Sequence, residues 1–148
     1  MNTTPPAASA TSGAGAAHPT AARFREAVER RDLDAARGLL AQEVVFHSPV
    51  TFHPFLGREA VTRLLVEVAQ VFEDFRYTDE LETDGAHALI FRARVGEREL
   101  EGIDLLRFDA DGLICDFTVM LRPLSALVPF AQAMAERVAQ AGIQATPA

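Results

Sequence analysis

One aspartate stands on an otherwise apolar strand face, and two histidines crowd a short aromatic stretch. In "ELEGIDLLRFD" the residues at alternate positions are Leu100, Gly102, Asp104, Leu106 and Phe108, opposite Glu101, Ile103, Leu105 and Arg107. Successive side chains of a strand point to opposite faces, so Asp104 is predicted to lie among buried groups. A carboxyl there must find donors, find a cation, or keep its proton. A protonated carboxyl in a pocket can donate to a carbonyl or hydroxyl oxygen and act as a general acid.

The second candidate is "VVFHSPVTFHPF", residues 44–55, which holds His47, Ser48 and His53 among phenylalanines. Parity puts Phe46 and Ser48 on one face and His47 on the other, and Pro49 permits a bend after that. His53 lies in the loop beyond, where functional groups are often carried. Either histidine is a candidate base facing Asp104. Six positions separate them with no further ligand motif, so the spacing calls for no metal. No cofactor motif is present either. The lone tyrosine, Tyr77, alternates with Phe75 and Asp79 and is a candidate donor to a ligand oxygen.

These residues need elements to position them. "PTAARFREAVERRD" and "RDLDAARGLLAQE" read as helices, the second capped by Asp32 with an apolar stripe of Leu33, Ala36, Leu39 and Leu40. "VVFHS" reads as a short strand stopped by Pro49. "GREAVTRLLVEVAQVFEDF" is a helix with Val61, Leu64, Leu65, Val68 and Phe72 on one face. The period then changes to two. "FRYTDELETD", "HALIFRARVG", "ELEGIDLLRFD" and "GLICDFTVMLR" read as a meander with turns at Asp84-Gly85, Gly96-Glu97 and Asp109 to Gly112. "VPFAQAMAERVAQAG" reads as a closing helix from about Pro129. Helices followed by grouped strands predict an α+β fold: a curved, cone-shaped antiparallel sheet with helices on its concave face and a C-terminal helix.

The chain has 148 residues, 49% of them apolar, which suits one domain with a substantial core. The Ala/Ser/Thr/Pro-rich segment 1–19 is predicted to be a disordered tail, with His18 solvated, ahead of a single domain at 20–142. It lacks the basic region and apolar run of a secretory leader. A net charge of −7 argues against nucleic acid and anionic membranes as partners, and no run is long enough to span a bilayer. Cys115 is the only cysteine and has no disulfide partner. A cytoplasmic location follows as the expectation.

The pieces "RDLDAARGLLAQEVVFHSP", "GREAVTRLL", "GIDLLRFDADGLICDF" and "MLRPL" resemble the nuclear transport factor 2-like superfamily, in its SnoaL-like and ketosteroid-isomerase-like branch. The resemblance spans residues 21–137. It implies the cone and a small, largely apolar molecule bound in it, without fixing a reaction. Asp104 matches the position where the isomerases carry a protonated aspartic acid. Their base falls on Ser48 and their tyrosine near Phe24, so ketosteroid isomerisation itself is disfavoured. The tyrosine, asparagine and second aspartate of the resembling epoxide hydrolases fall on Phe46, Ser48 and Val119. The expected cavity wall comprises Phe46, Ser48, Tyr77, Phe91, Leu106, Phe117, Val119 and Leu121 around Asp104. Ile103, Leu105, Ile114 and Met120, with Arg92, Arg94, Glu101, Asp116 and Arg122, are assigned to the outer face, where the resemblance implies a homodimer. A binding module without catalysis, or a dimeric structural module with a filled cone, is the alternative.

Overall fold

A computed structural model describes residues 18–146. The elements run α1 (Pro19–Glu29), α2 (Leu33–Arg37), β1 (Leu40–His47), β2 (Phe55–Leu56), α3 (Arg58–Val71), β3 (Glu73–Glu82), β4 (His87–Val95), β5 (Arg98–Phe108), β6 (Ile114–Arg122) and α4 (Leu124–Ala141). The strands form a six-stranded curved sheet in the order β2-β1-β6-β5-β4-β3. The expected α+β cone is the observed architecture. Its meander is antiparallel, but β1 runs parallel to β6, so the sheet is mixed. A parallel pair needs a long crossover, and α3 with the β3–β5 meander supplies it.

The helices lie over the concave face, and the core fills the space between. Phe24 and Ala27 of α1, Val61 and Leu64 of α3, and Phe130 and Met134 of α4 are buried against Phe46, Leu89, Phe91, Leu106 and Phe117 of the sheet. The amphipathic spacing in α3 is realised, with Val61 and Leu64 buried.

Several local expectations are corrected. Helix α2 stops at Arg37 rather than running to Glu43, and Leu40 opens β1. The Ile114 amide donates to the Leu39 carbonyl at 2.9 Å, so sheet pairing overrides the helical stripe here. Strand β2 was not anticipated; its two residues pair with Val45 and Phe46. Helix α4 begins at Leu124, with Pro129 inside it. Proline at that point removes only the bond to the Ser125 carbonyl, and Ser125 is exposed.

Strand β6 carries a bulge, because the register moves from Arg107–Asp116 to Phe108–Ile114. The extra residue inverts parity, so Ile114 is fully buried in the core rather than on the outer face. His18 is not a free surface residue. Its Nδ1 accepts from the Thr20 amide at 3.2 Å, and its ring stacks on Phe108 at 3.8 Å. The rest of the predicted tail, up to Ala17, lies outside the described residues.

Candidate functional site

Between the concave face and helices α1, α3 and α4 lies a cavity of about 230 Å³. Its wall is built from Phe24 and Val28, from Leu64, Leu65, Val68 and Ala69, from Phe130, Met134 and Val138, and from the sheet residues Phe46, Phe75, Phe91, Phe117 and Val119. Asp104 and Tyr77 bring polar groups into this apolar wall.

Strand pairing fixes where they stand. Asp104 in β5 faces Leu89 of β4 on one side and Val119 of β6 on the other. It is only 6% exposed. Its one hydrogen-bond partner among the described residues is the Tyr77 hydroxyl, which donates to Oδ2 at 2.9 Å. Burial pushes the Asp104 carboxyl up from its ordinary 3.8 to about 7, against the Tyr77 bond, which favours the carboxylate. Burial, and then the neighbouring Asp104 charge, hold the Tyr77 hydroxyl well above its ordinary range. Tyr77 is therefore a fixed donor, and Asp104 is the group that titrates near neutrality.

Gly102, two residues before Asp104 in β5 and paired with Phe91, makes room for the aromatic wall. A Cβ there would stand 2.3 Å from Phe91 Cζ and 2.6 Å from Leu121 Cδ2, so the Phe91 ring occupies space that only glycine leaves free. Phe91 in turn packs on Phe75 at 4.8 Å and Phe72 at 5.8 Å, which holds the aromatic wall.

The structure gathers Asp104, Tyr77, Phe46, Ser48, Phe91, Phe117 and Val119 around one cavity. It places four other candidates elsewhere. Leu106 is fully buried, but lies one strand level away, opposite His87 and Phe117, and does not line the cavity. Leu121 sits beside Gly102 and Phe91 but does not line the cavity; it lines an adjoining groove with His47, Phe52 and Met120, which shares Ser48, Thr51 and Val119 with the cavity. His47 Nε2 lies 3.0 Å from Asp116 Oδ2, on the face that parity assigned to it. His53 is exposed in the loop after Pro49. No histidine lines the cavity, so the expected partner for Asp104 across the pocket is replaced by Tyr77.

Sequence reasoning missed Arg31 and Thr51, which also line the cavity. It also missed a charged cluster beside Tyr77. His87 is 1% exposed, with Nε2 2.9 Å from Glu80 Oε2 and Nδ1 left without a partner. Glu80 also accepts from Arg25, whose guanidinium sits 5.7 Å above the Tyr77 ring. The parity of His87 with Leu89 and Phe91 was the available signal. Glu80 was hidden by the register shift between Tyr77 and Asp79, which turns Glu80 towards α1.

Residues 21–117 match the SnoaL-like domain. The chain belongs to this family. Among solved structures, it is similar to a steroid delta-isomerase from Pseudomonas aeruginosa, at 42% identity over 86% of this chain and 95% of that one, with a TM-score of 0.80. It is also similar to an uncharacterized bacterial protein with a cystatin-like fold from Silicibacter pomeroyi, at 37% identity over 84% of this chain and 89% of that one, TM-score 0.80. A nuclear transport factor 2-like protein from Cytophaga hutchinsonii shares the fold at 17% identity, covering 73% and 91% of the two chains with a TM-score of 0.61. No functionally curated protein matches. Among the described residues no helix is long and apolar enough to cross a membrane, and no cluster of histidine, cysteine, aspartate or glutamate is arranged to hold a metal ion.

Proposed function

We propose that this SnoaL-like protein binds a small, largely apolar molecule with one carbonyl or hydroxyl oxygen in its cone, and that Asp104 performs acid-base chemistry on that oxygen. The observation that carries the reading is a buried carboxyl, bonded only to Tyr77 and touching no cation, at the wall of an apolar cavity. A group that titrates near 7 suits proton transfer at neutral pH. As charge develops on a substrate carbonyl oxygen, the Asp104 O–H gives up its proton to it. The carboxylate left behind keeps the Tyr77 hydrogen bond, which lowers the cost of that transfer. Similarity to a steroid delta-isomerase supports an apolar ring ketone as the substrate class. Among the described residues the cavity wall supplies this acid and no second carboxylate or histidine, so a carbon-bound proton would leave to water.

That same lack of a base in the wall favours the second reading, a binding module without catalysis. The two separate in one experiment with α-tetralone in heavy water. Catalysis predicts that the protein accelerates deuterium uptake next to the carbonyl, and that Asp104→Asn binds the ketone but loses the acceleration. Binding without acceleration in the wild type supports the module, and absence of binding defeats both readings.

We further propose a homodimer through the outer sheet face, where Ile103 and Leu105 are half-buried and Met120 is 52% exposed. The charges there are already matched within the chain, since Glu101 pairs with Arg92 and Arg122. The proposed location is the cytoplasm, and cell fractionation that finds the protein in another compartment would contradict it.

A further inference from the structure

Helix α1 ends in a motif that normally takes glycine. The Arg31 amide donates to the Val28 carbonyl at 3.0 Å, and the Asp32 amide donates to the Ala27 carbonyl at 2.8 Å. This pair of bonds closes the last turn and requires a left-handed residue at the position of Arg31, whose φ is 57°. Glycine adopts that conformation without strain, whereas a side chain crowds the following carbonyl. The fold alone therefore gives no reason for arginine here.

The placement of the side chain supplies one. Arg31 is exposed, yet it lines the same cavity as Asp104, and so stands at the mouth while Asp104 is buried within. Among the described residues, Arg31 and Asp104 are the only two with ordinarily charged side chains in that wall. Adjacent Arg30 is engaged by Glu26 and Asp32, but Arg31 has no acidic partner among the described residues. Strained backbone that holds a free cation at a pocket mouth is a pattern of ligand clamps.

We propose that the ligand of the cone is an amphipathic carboxylate: an apolar body, an oxygen at the Asp104–Tyr77 end, and an anionic end held by Arg31 at the mouth. This rests on the cone being a ligand site, as proposed above, and names the class of ligand. The orientation follows from charge. A carboxylate at the inner end would meet Asp104, while at the mouth it stays partly hydrated and gains a guanidinium. The chain as a whole carries −7, so a preference for an anion must come from this local cation rather than from the overall field.

The test uses Arg31→Gly, which relieves the left-handed strain and so keeps the fold. Calorimetric titrations at low salt compare ω-hydroxycarboxylates of hexyl to dodecyl length with the diols of the same length. The expected result is that the wild type prefers a carboxylate over its matched diol by about fivefold, as for a partly solvated ion pair. Arg31→Gly should lose that preference, bind the diol as before, and melt no lower than the wild type. Raising the salt should shrink the wild-type preference. Equal binding of carboxylate and diol by the wild type, or a preference that survives in Arg31→Gly, overturns the carboxylate assignment and leaves the cone as a ligand site. If no member of either series binds while α-tetralone does, the carboxylate assignment alone falls; if α-tetralone also fails to bind, the reading beneath it falls too.

Discussion

Replacing Asp104 by asparagine should change how stability depends on pH, and the size of the change follows from the site. The carboxyl moves from an ordinary 3.8 in the unfolded chain to about 7 in the folded one. Between those values the folded state holds a proton that the unfolded state has released, so stability contributed by this group falls as pH rises. It is fully present below 3.8 and gone above about 7. At about 1.4 kcal/mol per pH unit, the interval corresponds to about 4 kcal/mol. Asparagine can still accept from the Tyr77 hydroxyl and does not titrate, so it removes this dependence alone. Urea unfolding of both proteins across the interval isolates the effect, because the other carboxylates cancel in the difference. Asp104→Asn should gain on the wild type by about 4 kcal/mol from the acid to the alkaline end, with most of the change below neutrality. A difference that stays flat with pH would refute the reasoning, since it would mean that Asp104 ionises at its ordinary value and is solvated or paired in the folded protein.

Tyr77→Phe removes the one donor to Asp104, so the aspartate should titrate above its wild-type value of about 7, which a carbon-13 titration of its carboxyl reads directly. A midpoint that falls or stays in place would show that the hydroxyl does not stabilise the carboxylate. Gly102→Ala drives a methyl into the Phe91 ring and should cost about 1–3 kcal/mol in urea unfolding while weakening β-naphthol binding; unchanged stability would mean that the ring moves freely. Met120→Arg puts a charge on the outer face and should convert the proposed dimer to a folded monomer in sedimentation equilibrium; a wild type that sediments as a monomer would remove the proposed dimer altogether.

The part of the site that obeys strand alternation was legible in the sequence. In β5 every second residue from Leu100 to Leu106 is buried, and Asp104 is among them. Phe46, Phe91 and Phe117 reach the cavity for the same reason. What was not legible depends on breaks in that alternation. The bulge near Cys115 turns Ile114 inward, and the shift in β3 turns Glu80 towards Arg25 and His87. Neither leaves a mark in the hydrophobic pattern, because the inserted residues are ordinary strand formers. Arg31 was hidden differently. Its role depends on a left-handed turn with no glycine to announce it, and on packing that brings the end of α1 to the cavity mouth. His47 and His53 drew attention by residue type, but the outward parity of one and the exposed loop of the other keep them from Asp104.

The central claim is that the cone holds a small apolar molecule by an oxygen at Asp104. The most direct test is a crystal structure of the protein with β-naphthol. The account predicts the rings between Phe91, Phe117 and the α3 and α4 side chains, with the naphthol oxygen about 2.6–3.2 Å from an Asp104 carboxyl oxygen. Naphthol found only in the adjoining groove beside His47 and Phe52, or a cone that stays empty at saturating naphthol, would contradict it.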